Sequence, residues 1–347
     1  MFLSFRRQPC RHSPASGSPR RASATVLAAM SAAAALGLTA VLPLPSARAE
    51  LLIGLTVQNN LLSFDSATPG TVSSVGITGL LAGDALVGID RRPTLGPNNG
   101  VLYGFGYNAT TGAGRIYTLD TLTGLATPGA FLTADPTDVT APFPFTTVMG
   151  SAFGMDFNPV PDRLRVTSDT GQNLRINVDN GFTQLDVPLA YQAGDPNVGT
   201  TPNVVAVAYS NNFGGATTTT LRGVDVGKSP DLLVVHTNPN GGLLQTSLNL
   251  PFDGSNIAAY DISGLTGTPY FAVSAPGAGF SQLYTSGPGG VTLAGTIGGG
   301  VTLRGLAAPV GAPVGTPQVI PEPGTLALAV TGLLPLAVVI ARRRHRT

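Results

Sequence analysis

The chain has 347 residues, of which 43% are hydrophobic, with 45 glycines and 29 prolines. That balance argues against disorder and for many short strands joined by tight turns. The formal charge of +1 hides an acidic body: residues 50–320 hold nine Arg/Lys against seventeen Asp/Glu, a net charge of −8, and without a basic face to neutralise phosphates a nucleic-acid binder is excluded.

Residues 1–49 read as an export signal. Arg6, Arg7, Arg11, Arg20 and Arg21 form a basic start, Val26 to Leu42 is an apolar run, and Ala47-Arg48-Ala49 is a small-x-small cleavage site. Cleavage between Ala49 and Glu50 by signal peptidase is predicted. The alternative is an anchor that stays in the membrane. The residues around Arg20-Arg21 match a twin-arginine signal poorly.

From Glu50 onward short runs alternate polar and apolar residues between Asp/Asn-Gly turns, the pattern of half-buried antiparallel strands. The clearest copy is Gly154 to Asp179, GMDFNPVPDRLRVTSDTGQNLRINVD. Asp and Asn suit such turns because their side chains bond nearby backbone groups, and Gly accepts positive φ. A four-stranded meander recurs, and its inner strands end at positions 90, 156, 209, 261 and 307, spaced by 66, 53, 52 and 46 residues. Leu51–Val57, Leu61–Asp65 and Thr71–Ile77 lack an inner strand, while Val301–Pro309 is an inner strand lacking the other three. Together they make a fifth unit. The prediction is an all-β propeller of about five four-stranded blades over residues 50–310, closed by pairing of its N- and C-terminal strands. Six blades or a two-sheet sandwich are the alternatives, though a sandwich does not predict complementary ends. In the fourth unit the second strand is predicted over Thr218–Val224. The long connections Thr133 to Gly150 and Ala190 to Asn203 are expected to lie over one face, and residues 311–320 to form a Pro/Gly linker.

Residues 321–347 form a second address. Pro321-Glu322-Pro323 precedes an apolar stretch, Gly324 to Ala341, followed by Arg342-Arg-Arg-His-Arg346. A stretch of that length can span a bilayer as a helix with the basic cluster in the cytoplasm. A permanent anchor is one use of it. The three parts in this order closely resemble the PEP-CTERM sorting tail. The resemblance implies a Gram-negative host whose exosortase cuts near Pro321, Glu322 and Pro323. The protein would be held briefly in the inner membrane, then released to the cell surface or an extracellular polymer matrix.

The body carries a second resemblance. GMDFNPVPDRLRVTSDTGQNLRIN, with Asp195-Pro-Asn197, Pro202-Asn-Val-Val205 and Thr219-Thr-Leu221, is similar to a bacterial family known only as a domain of unknown function (DUF4394-like). The resemblance implies a domain boundary near residues 50–308 in a secreted or surface protein, and no activity, cofactor or catalytic residue.

Chemistry is scarce. Cys10 is the only cysteine and lies in the leader, and His236 is the only histidine between the two addresses. This excludes a His/Cys zinc cluster in the body. No nucleophile elbow, Walker loop or complete EF-hand loop occurs, and His236 on a predicted strand reads as a packing residue. Asp90, Asp156 and Asp261 end the inner strands of three blades, with Tyr209 and Ala307 expected at the other two. Three carboxylates could therefore meet at the channel mouth, with Asn158 and Asn211 nearby. An all-oxygen set suits Ca²⁺ or Mg²⁺. The competing expectation is that each Asp only closes a local turn. Asp65, Asp120 and Asp179 are expected to be turn residues. Arg163, Arg165 and Arg175 are the densest basic group, either a patch for an anionic glycan or cross-strand partners of Asp162, Asp169 or Asp186. The tyrosines offer stacking surfaces, but most sit in strand patterns and are expected in packing. The expected function is a non-catalytic binding or structural module of the extracellular matrix, with extracellular polysaccharide as partner. The alternative is a propeller hydrolase or lyase with a cation at the channel mouth.

Overall fold

The computed structural model describes residues 49–314. The cleavage site at Ala47, the sorting motif Pro321, Glu322 and Pro323, and the apolar stretch 324–341 lie outside the described residues. Among the described residues no helix is long and apolar enough to cross a membrane.

The turns form as their composition dictates. The Asp120 carboxylate accepts the N–H groups of Leu122 (2.8 Å) and Thr123 (3.0 Å), and Gly124 follows at φ 74°. Asn108 does the same for Thr110 and Thr111 before Gly112, at φ 71°. Side-chain oxygens replace the missing ladder partner, and glycine takes the left-handed position that a Cβ disfavours.

Between the turns run β1 (Leu51–Thr56), β2 (Asn60–Asp65) and β3 (Val72–Gly76), then β4 (Ala85–Arg91), β5 (Leu102–Asn108), β6 (Ala113–Leu119) and β7 (Ala126–Phe131). After a short β8 (Thr133–Ala134) come β9 (Phe153–Asn158), β10 (Arg163–Ser168), β11 (Asn173–Ile176) and β12 (Phe182–Leu185). A short β13 (Ala190–Tyr191) precedes β14 (Val204–Tyr209), β15 (Leu221–Asp225), β16 (Leu232–Asn238) and β17 (Leu243–Asn249). The chain ends in β18 (Ala258–Ile262), β19 (Pro269–Val273), β20 (Gln282–Gly287), β21 (Gly290–Thr296) and β22 (Leu303–Ala307).

The strands form five antiparallel meanders, and β22 closes the first by pairing with β1, Ile53 opposite Ala307 and Gly54 opposite Leu306. The inner strands touch in the circular order β22, β4, β9, β14, β18 and back to β22. This is a five-bladed propeller with the first and last strands in one blade. We number the blades 1 to 5 from the one that β1 enters.

The hydrophobic core is distributed between neighbouring blades. Tyr103, Phe105 and Ile116 of blade 2 pack with Phe153, Phe157, Leu164 and Val166 of blade 3, all buried. Each such aromatic contributes about 1.5–3 kcal/mol by leaving water. Near the axis only small residues fit: a Cβ placed on Gly154 would lie 2.8 Å from the Ala206 Cα.

Three local expectations change. The long connections do not simply cover a face: β8 pairs in parallel with β12, and β13 with β17, so each strand follows the outer edge of the blade it leads into. Thr78 makes the same parallel bridge to Leu125. Backbone groups on three outer edges are thereby paired. In blade 4 the second strand starts at Leu221, because Thr219 Oγ1 donates to the Ser210 carbonyl and the Thr220 N–H to Ser210 Oγ. These side-chain bonds take the place of ladder bonds there, beside one backbone bond from the Ser210 N–H to the Thr220 carbonyl at 3.0 Å. At the C-terminal end Gly311 bridges Phe213 and its N–H donates to the Asn212 carbonyl at 2.8 Å, so the first residue of the Pro/Gly stretch packs on blade 4.

Candidate functional site

The three inner-strand aspartates meet. One carboxylate oxygen from each of Asp90, Asp156 and Asp261 lies within 4.8 Å of the other two. Each residue is only 1% exposed, so the cluster is sealed inside the ring and is not an open channel mouth.

The backbone explains their positions. Each aspartate lies one or two residues before the end of its inner strand, not at the last position as expected, and its side chain reaches the next blade. Asp90 accepts the Phe157 N–H at 2.8 Å, Asp156 the Tyr209 N–H at 3.0 Å, and Asp261 the Ala308 N–H at 2.6 Å. Asp90 and Asp261 also accept the N–H of their own following residue, Arg91 and Ile262, each at 2.6 Å. The local turn bond expected from sequence thus exists at two of the three, alongside a cross-blade bond at all three.

These bonds correct one position. Phe157 and Ala308 each follow the residue at the aspartate position of their blade, Asp156 and Ala307. Tyr209 receives the same bond, so Ala208, not Tyr209, occupies the equivalent place in blade 4. Asn158 and Asn211 take no part, since Asn158 accepts the Val160 N–H and Asn211 donates to the Thr218 carbonyl, both within their own loops.

Charge in this cluster has nowhere to go. Five of the six carboxylate oxygens accept an N–H, whereas Asp156 Oδ2 receives no N–H or O–H donor. The group facing Asp156 is the Asp261 carboxyl, and the two can bond only if Asp156 keeps a proton to donate. Burial, then the neighbouring carboxylates, holds Asp90 and Asp156 well above the usual carboxylate range. Burial raises Asp261 as well, against the opposing N–H bonds of Ala308 and Ile262. Two unit charges at the 4.8 Å limit of this separation repel by roughly 3.5 kcal/mol at an effective dielectric of about 20, and closer ones by more. Three bare carboxylates would cost roughly 10 kcal/mol, comparable to the whole stability of a domain. The cluster must hold protons or a cation. Arg91 is the nearest compensating charge; it is drawn to Asp90 and Asp261, but its guanidinium donates to the Gly100 carbonyl at 2.7 Å and forms no salt bridge with the cluster.

The other candidates are structural. Arg165 and Arg175 face each other across β10 and β11, and Asp186 lies between them, 2.5 Å from Arg165 Nη1 and 2.9 Å from Arg175 Nη2. Arg163 bonds only the carbonyls of Pro161 and Asp162. No glycan patch forms from the three. Asp169 holds Ser151, and Asp162 pairs with Arg92 of blade 2. Arg92 also takes Asp179, at 2.7 Å, so Asp179 is an inter-blade partner as well as a turn residue. Asp65 and Asp120 do bond their own turns. His236 is buried on β16 with both ring nitrogens unpartnered, and burial together with Arg165 lowers its pKa to about 3. Six of the eight tyrosines are buried and the other two half-buried. Sequence reasoning missed Arg92: nothing local marks a side chain whose partners are 70 and 87 residues away.

Outside the cluster, a groove of about 620 Å³ runs between blades 3 and 4, lined by Asn158, Thr218, Thr219, Thr220, His236 and apolar neighbours, with no charged side chain.

Among solved structures, a chain of a nidogen/laminin complex shares 9% identity over 75% of this chain and 98% of its own, with a TM-score of 0.42. The calcium-binding protein regucalcin from Agrobacterium tumefaciens shares 10% over 74% of this chain and 78% of its own, with a TM-score of 0.37. A PQQ-bound aldose sugar dehydrogenase from Streptomyces coelicolor shares 16% over 76% and 82%, with a TM-score of 0.39. Likenesses this distant say nothing of function. No curated protein matches the chain in sequence. Residues 60–307, more than half of the chain, match the family described as domain of unknown function DUF4394, and the chain belongs to that family.

Proposed function

We propose that the protein is an exported, surface-sorted propeller that acts as a non-catalytic binding or structural module of the extracellular matrix. One observation carries this. The three carboxylates that were the best candidates for chemistry are sealed in the ring, and every one is engaged by the backbone of the next blade. An acid or base must reach the atom it serves, and no substrate reaches these. Their work is to hold inner strands together, which counts against the alternative of a hydrolase or lyase with a cation at the channel mouth.

A rigid ring is then a platform, and its partner meets the outer surface. The neutral groove between blades 3 and 4 offers the Thr218 and Thr220 hydroxyls as donors and acceptors, and Thr219 as an acceptor. Such a lining suits an uncharged polyhydroxyl chain such as extracellular polysaccharide. Signal peptidase would remove residues 1–49, and an exosortase would process the tail at Pro321, Glu322 and Pro323. The test is a deletion strain, expected to lose adhesion or change the polymer composition of its matrix. A strain matching its parent in both would refute the proposal.

A further inference from the structure

We propose that Asp90, Asp156 and Asp261 together bind one desolvated divalent cation of the Ca²⁺ class, a structural ion that ties blades 2, 3 and 5 on the propeller axis. The observation beyond the acidic cluster itself is Asp156 Oδ2, a fully buried oxygen with no donor, facing two other carboxylates. A buried acceptor left unpaired is costly, and one carrying charge more so.

A proton and a cation both answer that need, and they differ in reach. A proton bridges one pair of oxygens at a time and leaves the third carboxylate repelled. A cation at the centre attracts all three together. The N–H bonds already made do not compete with it, because a carboxylate oxygen carries a second lone pair. Three oxygens that all lie within 4.8 Å of one another leave a central point no more than about 2.8 Å from each. Ca²⁺ binds oxygen at about 2.3–2.6 Å and tolerates irregular geometry, so at most a contraction of a few tenths of an ångström completes the contacts. Mg²⁺ requires about 2.1 Å and a near-ideal octahedron, which three carboxylates held by backbone N–H bonds on separate strands suit less well.

The rest of the ring leaves room. The places equivalent to the aspartates in blades 4 and 1 are Ala208 and Ala307, small and fully buried. One layer along the inner strands, a void of about 10 Å³ lined by Gly88, Gly154, Ala206, Ala259 and Gly305 lies on the axis. That is about one water molecule's worth of space. The inference is independent of the proposed matrix role, since an ion could lock the ring whatever the outer surface binds.

The experiment is elemental analysis of the full-length protein purified without chelator, followed by thermal melts in EDTA and with millimolar Ca²⁺, Mg²⁺ or Mn²⁺. The expected result is close to one calcium per chain, and a midpoint that falls in EDTA and is restored by Ca²⁺ more than by Mg²⁺. Asp156→Asn keeps the oxygen that accepts the Tyr209 N–H and removes the charge, so it should fold while its ion content drops at least tenfold. Should that variant fail to fold, the wild-type ion content and EDTA response decide alone. Wild-type protein holding less than one tenth of an equivalent of any divalent ion, with a melt indifferent to EDTA and Ca²⁺, would overturn the proposal and leave a shared proton as the answer.

Discussion

Arg165 and Arg175 give a direct test of how burial sets the worth of a charge. They stand opposite each other on adjacent strands and share one acid, Asp186. Their surroundings differ. The Arg165 side chain is 2% exposed and also bonds the Asn173 and Asn240 amide oxygens at 2.8 and 2.7 Å. Arg175 is 29% exposed and bonds Asp186 alone. Arg165→Ala leaves two buried amide oxygens and part of a buried carboxylate unpaired, a loss of about 3–5 kcal/mol. Arg175→Ala removes a partly screened contact while Arg165 still holds the acid, a loss of about 1 kcal/mol or less. For a domain above 200 residues each kcal/mol moves the melting midpoint by roughly 2 °C. Arg165→Ala should therefore lower the midpoint by roughly 6–10 °C and Arg175→Ala by roughly 2 °C. The measurement is a calorimetric or circular-dichroism melt of both variants in one buffer. Equal losses, or a larger loss for Arg175→Ala, would refute the claim that burial decides between them.

Three further outcomes are expected. Burial raises the Asp231 carboxyl to about 7, although the Gly254 N–H opposes it; the folded state then holds its proton longer than the unfolded one, so stability is lost as pH rises from about 4 to 7. Asp231→Asn should flatten that decline in urea titrations across the range, and an unchanged slope would count against it. His236 has the opposite sign: a ring kept neutral down to a pKa of about 3 costs stability as pH falls below 6.5. His236→Leu should make the protein less acid-sensitive between pH 6.5 and 4, whereas equal sensitivity would show that the ring protonates without strain. Gly154→Ala should cost about 1–3 kcal/mol, because its Cβ would press on Ala206 backbone atoms 2.8–3.0 Å away. Gly287→Ala, with nothing within 4 Å, should cost far less, and similar melts for the two would contradict axial crowding.

What the sequence carried by itself was whatever is written locally. Period-two alternation and Asp/Asn-Gly turns set the strands, because those signals concern neighbours a few residues apart. The complementary ends set the closure, because an inner strand without partners and three strands without an inner one fit a single blade. The three aspartates were legible for the same reason, since each stands near the end of an inner strand at an equivalent place. The tertiary structure alone decided the rest. Blade 4 shows why: Val204-Val-Ala-Val-Ala-Tyr209 is apolar and buried at every position, so no alternation marks its faces. Only the Asp156 bond to the Tyr209 N–H identified Ala208 as the equivalent position. Arg92 reached Asp162 and Asp179, and Arg165 reached Asn240, across blade boundaries. Contacts between blades depend on how the ring closes, and closure sums small twists over five sheets that no short stretch of sequence records.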